Sequence, residues 1–130
     1  AATGSKVSIF FTFWGLNVIK KKHGPAVKKT LTEKMFAHML PKSSDSLALS
    51  KMNMMGMGSK MIRGIMKKKN IDSLESLIRQ AMDNGVEFIA CQMTMDMMGI
   101  KKEELLDGVT VGGVASYMQK AEEAGVNLFI

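Results

Sequence analysis

Val86-Glu87-Phe88-Ile89-Ala90-Cys91 follows Asn84-Gly85 and precedes Gln92-Met93-Thr94. A short apolar run with β-branched and aromatic members, bounded by a turn signal, reads as a buried strand. The residues before it carry a different period. Leu74, Leu77, Ile78, Ala81 and Met82 recur at helical spacing. Asp72-Ser73-Leu74-Glu75 supplies a start for that helix, and Asn84-Gly85 its end. After the strand, a turn and a short helix are expected across 94–98, broken at Gly99. Helix, strand, helix in this order is the repeat of an α/β domain.

The same alternation extends outward. Lys6-Val7-Ser8-Ile9-Phe10-Phe11-Thr12-Phe13 predicts a second buried strand, and 14–22 a helix after it. A helix is expected over 30–40, ending before Pro41. Residues 41–58 have no clean period and read as a long, mobile, Met-rich loop. Met61, Ile62, Ile65 and Met66 restore helical spacing from 59 onward, with Lys67-Lys68-Lys69 at the negative end of the helix. Further on, a short helix over 101–106, a strand at 109–111, a helix over 114–124 and a last strand over 126–130 are expected. The fold class is therefore α/β, with a mostly parallel sheet and helices on both faces. Ala1-Ala2-Thr3-Gly4 looks like the tail of a helix that ends at Gly4.

A length of 130 residues fits one domain spanning 1–130. The net charge of +6 favours anionic partners without choosing among them. Eight aromatic residues, half of them in the run from Phe10 to Trp14, are poor material for base stacking, so nucleic acid is not an expected partner. A single Cys excludes an internal disulfide and a Cys-rich zinc site, and suits a reducing cytoplasm. No basic segment leads into an apolar stretch as in a secretory signal, and the longest apolar runs fall far short of the ~20 residues of a membrane span.

Cys91 is the residue with the most chemistry. The C-terminal ends of strands are where open α/β sheets bind ligands. A helix starting just after it would present backbone N–H groups and positive potential, which favour a thiolate. Free Cys also packs as a small buried hydrophobe, and position alone leaves both readings open. His23 and His38 are isolated, with no metal-ligand spacing, and no His is near Cys91 in sequence. Most of the fourteen Met read as core filler or adaptable surface. Met52, Met54, Met55 and Met57 offer two further roles: thioether ligands for Cu(I), or an apolar surface that docks a partner or membrane complex. Lys20-Lys21-Lys22 and Lys67-Lys68-Lys69 read as solvated helix ends, while Lys51 or Lys60 would attract an oxyanion or an acidic carrier. Gly112-Gly113 lacks the spacing of a phosphate-binding loop.

Ala90-Cys91-Gln92-Met93-Thr94-Met95-Asp96-Met97-Met98-Gly99-Ile100 resembles the cysteine motif of the DsrE/DsrF-like sulfur-relay family, in its Met-rich DsrE2-type subgroup. Other segments match in the same order: Phe10-Phe11-Thr12-Phe13-Trp14-Gly15-Leu16, the Met-rich stretch 50–58, Glu103-Glu104-Leu105-Leu106-Asp107-Gly108-Val109, Gly112-Gly113-Val114-Ala115 and Asn127-Leu128-Phe129-Ile130. The resemblance implies a flavodoxin-like three-layer sandwich, assembly into a homo-oligomer, and a cysteine that carries sulfur as a persulfide or thiosulfonate. It also implies relay partners of the TusA-like or rhodanese-like kinds.

Carried over by position, Cys91 is the sulfur acceptor. Gln92, Met93, Thr94 and Asp96 are the expected surroundings of the cargo, with backbone N–H groups of the 94–96 turn around it and Asp96 as a helix cap. No metal or cofactor is required. Family members start with a further strand and helix, so a central strand is expected to be missing from this sheet. Three alternatives stand beside the carrier. One is a Met-rich scaffold for a redox complex with Cys91 structural, one is Cu(I) handling, and one is a thiol peroxidase that lacks a resolving Cys of its own.

Overall fold

The computed structural model of the chain describes residues 1, 3–25, 27–44 and 57–128. The strands form one parallel sheet of order β1-β2-β3: β1 is Ser8–Phe11, β2 is Glu87–Cys91 and β3 is Thr110–Gly112. The helices are α1 (Leu31–Met39), α2 (Met57–Lys68), α3 (Leu74–Asp83), α4 (Gln92–Met98) and α5 (Val114–Glu123). A 3-10 helix, Phe13–Ile19, follows β1, and a shorter one, Lys102–Glu104, follows α4.

Register fixes which side chains share a face. Phe10 stands beside Ile89 and Phe11 beside Ala90; on the other flank Ile89 stands beside Thr110 and Cys91 beside Gly112. Alternation along β2 turns Phe88 and Ala90 to one face and Glu87 and Ile89 to the other. On the first face Phe88 and Ala90 join a buried cluster with Leu16, Ile19, Ile78, Met95 and Leu105, so α3, α4 and the first 3-10 helix cover it. Phe11 adds a ring 5.2 Å from that of Phe88. On the second face α5 lays Tyr117 against Phe10, ring centroids 5.4 Å apart, and pairs Lys120 with Glu87. Helices thus flank both faces, as expected of this α/β fold.

Several local features follow from the sequence. Ser73 caps α3 by accepting a bond from the Ser76 N–H at 3.2 Å. Gly99 ends α4 at φ +62°, and its N–H donates to the Met95 carbonyl. A side chain there would be blocked twice: the left-handed backbone disfavours it, and an added Cβ would lie 2.5 Å from Glu33 Cγ on α1. Glu33 itself accepts from the Thr30 N–H at 2.8 Å, which closes the start of α1.

The structure departs from expectation in four places. The helix expected over 14–22 is a 3-10 helix entered through Phe13 at φ +44°. The helix expected from 94 begins at Gln92, with Cys91 as its N-cap. No strand forms over Val126, Asn127 and Leu128; Val126 and Leu128 are 77% and 81% exposed, so their apolar pattern meets no neighbouring strand. Finally, no gap opens at the centre of the sheet. β1 and β2 are hydrogen-bonded neighbours, as are β2 and β3, so β1 and β3 are the edges of the described sheet. Most of the Met-rich stretch expected to be a loop, 45–56, lies outside the described residues, and 57–58 open α2.

Candidate functional site

Parallel strands end on a common edge, and β2 is the middle strand. Its last residue, Cys91, therefore sits at the centre of the C-terminal edge, between the end of β1 and Gly112 of β3. The residue after β1 is Thr12, in extended backbone at φ −133°, ψ 158°. Thr94 lies in the first turn of α4, and 2% of its surface is exposed. The two hydroxyls meet at 2.8 Å, across 82 residues of sequence.

Cys91 is 5% exposed, yet its surroundings are polar. Burial pushes the thiol pKa up. Against it act the Thr94 hydroxyl and N–H, the Thr12 hydroxyl and the Met93 N–H, and together they hold the thiol below its ordinary range. Two of these donors, the Met93 and Thr94 N–H groups, belong to the first turn of the helix that Cys91 heads, and the Thr12 hydroxyl comes from the residue after β1. Hydroxyls explain how such a site tolerates burial. In the Thr12–Thr94 pair one hydroxyl donates to the other, and the accepting oxygen keeps its own hydrogen for a thiolate.

The expected site residues separate into two groups. Cys91, Met93 and Thr94 come together, Met93 through its backbone. Gln92 and Asp96 face outward on α4 and bond to each other, Gln92 Nε2 donating to Asp96 Oδ1 at 2.9 Å. Asp96 is thus not a helix cap, since α4 starts four residues earlier than it. Thr12 is the member that sequence reading missed. A usable signal existed: Thr12 ends one strand as Cys91 ends another, and parallel neighbours bring such ends together.

Exposed apolar side chains surround this edge. Phe13 and Trp14, directly after Thr12, are 54% and 64% exposed, and Met93 and Met97 of α4 are also exposed. Phe13 holds a left-handed backbone that bulky residues rarely adopt. On the other side of Cys91, Gly112 lines a cleft of about 360 Å³ with Ile89, Ser116 and Lys120, between the sheet and α5.

Met52, Met54, Met55 and Lys51 of the expected thioether or anion sites lie outside the described residues, while Met57 and Lys60 are exposed on α2. Among the described residues no group of three or more His, Cys, Asp and Glu is placed to hold a metal ion, and no helix is long and apolar enough to cross a membrane. His23 and His38 are both exposed, and neither contributes to the lowering of the Cys91 pKa.

Comparison with known proteins converges on one family. The sequence profile described as the DsrE/DsrF/DrsH-like family matches residues 1–129. The uncharacterized protein YrkE of Bacillus subtilis is 50% identical over 130 residues, covering all of this chain and 81% of the relative. The sulfur carrier protein DsrE2 of Allochromatium vinosum is 37% identical over 131 residues, covering all of this chain and 82% of the relative. With Cys91 at the edge of a parallel sheet and a family profile matched from end to end, the chain belongs to the DsrE/DsrF/DrsH-like family.

Proposed function

We propose that this protein is a sulfur carrier in a relay, with Cys91 as the atom that loads and unloads. One observation carries the reading: Cys91 ends the middle strand at the centre of the sheet's C-terminal edge and heads α4, where the Thr12 and Thr94 hydroxyls meet at 2.8 Å. A cysteine that only packs has no use for donors that stabilise its anion. The similarity to a protein named a sulfur carrier supports the same reading.

Loading is nucleophilic. The Cys91 thiolate attacks the outer sulfur of a donor persulfide; a new S–S bond forms, the donor S–S bond breaks, and the donor leaves as thiolate. Cys91 then carries –S–SH. Tetrathionate loads a thiosulfonate by the same displacement, with thiosulfate as leaving group. Unloading reverses roles: a partner thiolate attacks the sulfur bonded to Cys91 Sγ, that S–S bond breaks, and Cys91 leaves as thiolate. No net oxidant or reductant is consumed, and a low thiol pKa helps both halves, first as nucleophile fraction and then as leaving group.

The second sulfur lies about 2 Å beyond Sγ, one S–S bond length, so the transferable atom stands farther from the backbone than the buried thiol. Phe13, Trp14, Met93 and Met97 supply apolar surface around it for a docked carrier of the TusA-like or rhodanese-like kind, in the cytoplasm, or for a second copy in a homo-oligomer. Gln92 and Asp96, exposed beside them, act at the docking surface rather than on the sulfur.

The direct test is intact mass after incubation with a persulfide donor or with tetrathionate. One adduct is expected on the wild-type chain and none on Cys91→Ser. Equal loading of the Cys91→Ser variant removes this residue from the mechanism.

A further inference from the structure

α2 has the character of a helix that lies on a charged surface. Met57, Met61 and Ile65 recur every four residues, which places them on one stripe rotating by about 40° per step. They are 70%, 62% and 45% exposed. Ile62 and Met66, on another side of the helix, are half-buried, and Ser59 is buried. So α2 has one sector that is covered and a second apolar sector that is exposed.

The charge distribution selects the occupant. Residues 57–71 contain Lys60, Arg63, Lys67, Lys68 and Lys69 and no Asp or Glu. The whole chain has 18 basic and 12 acidic residues, so the rest is nearly balanced at thirteen against twelve. Almost all the net charge is concentrated on this one helix and its exit. Helical spacing sets Lys60 and Lys67 along one border of the exposed stripe and Lys68 on the stripe at its C-terminal end, with Lys69 directly after the helix. Long lysine stems at such borders lie along apolar surface and deliver their ammonium groups to the polar side. A second copy of the chain would set Lys60, Lys67, Lys68 and Lys69 against the same lysines, which disfavours self-pairing through this face.

We infer that α2 docks the protein onto an anionic lipid surface. Met57, Met61 and Ile65 enter the boundary between headgroups and acyl chains, and the lysines meet lipid phosphates. The helix has 12 residues, so it lies in the interface and does not span it. The inference is independent of Cys91.

The test is co-sedimentation of the chain with vesicles of phosphatidylcholine, with and without phosphatidylglycerol, at low and high salt. Binding is expected only with phosphatidylglycerol and is expected to weaken in high salt. Lys67→Gln with Lys68→Gln should weaken it by about fivefold per lysine. Met61→Ser with Ile65→Ser should weaken it by about tenfold or more. All four residues are exposed, so circular dichroism and sulfur loading of Cys91 should be unchanged in both variants. Failure to bind phosphatidylglycerol vesicles at low salt overturns the inference, as does equal binding to pure phosphatidylcholine. Undiminished binding of the Met61→Ser, Ile65→Ser variant also overturns it, since contact would then be a general response to polyanions.

Discussion

Thr94→Val isolates the hydroxyl that does most to keep the Cys91 thiol acidic. Valine preserves the shape of threonine but removes the oxygen that meets Thr12 at 2.8 Å and donates toward the sulfur. The backbone N–H groups of Met93 and Thr94 stay in place, so only part of the stabilisation is lost. A hydrogen bond to a charged group is worth about 1.5–3 kcal/mol net. At the lower end, the thiolate population at fixed pH falls a little more than tenfold, roughly. The burial that pushes the pKa up is untouched and now meets less opposition. The readout is the ultraviolet absorbance of the thiolate followed against pH, with thermal unfolding to show that the variant is folded. The midpoint should move up from wild type to Thr12→Val and further to Thr94→Val. The double variant should fall short of the sum, because the two hydroxyls are bonded to each other. Coincident midpoints for wild type and Thr94→Val would refute the donor-cluster account of this site.

The same shift has a consequence for stability. The folded pKa of Cys91 lies below its unfolded value, so ionisation stabilises the fold at pH above the ordinary thiol pKa. That contribution is lost as pH falls through the folded pKa. Cys91→Ser should flatten this part of the unfolding profile measured in denaturant. Gly99→Ala should destabilise by more than about 1 kcal/mol, from the left-handed backbone and the approach of Glu33, visible as a lower urea midpoint. Lys20 is buried, its only hydrogen-bonded side-chain contact in the described residues is 3.4 Å to the Pro41 carbonyl, and Lys29 already occupies Glu104 at 2.8 Å. Burial lowers its pKa, so Lys20→Met should be neutral or stabilising in the same assay; a loss of several kcal/mol would refute that reading. Glu33 and Glu87 have depressed pKa values: for Glu33 chiefly from the Thr30 N–H, for Glu87 chiefly from Lys120. Their contribution is present above the ordinary carboxylate pKa and lost as pH falls through the folded values, so acid unfolding should begin at higher pH in Lys120→Met.

What the sequence determined by itself is local. Periodicity over 74–82 and the turn at Asn84-Gly85 marked α3, and the apolar run into Cys91 marked β2, because side-chain spacing and capping act within a few residues. The cysteine motif in its order with the other segments marked the family. Tertiary structure decided what depends on distant pairing. Val126-Asn127-Leu128 has the composition of a strand, but a strand exists only where another offers it an edge, and these residues stay exposed. The contiguity of β1 with β2 was equally invisible, since register is a property of two segments. That contiguity is what brings Thr12 to Thr94 and Cys91. The nucleophile was legible as a residue at a strand end, and the donors of Met93 and Thr94 follow it directly; the Thr12 hydroxyl, 82 residues before Thr94, is the donor that only the folded sheet brings in.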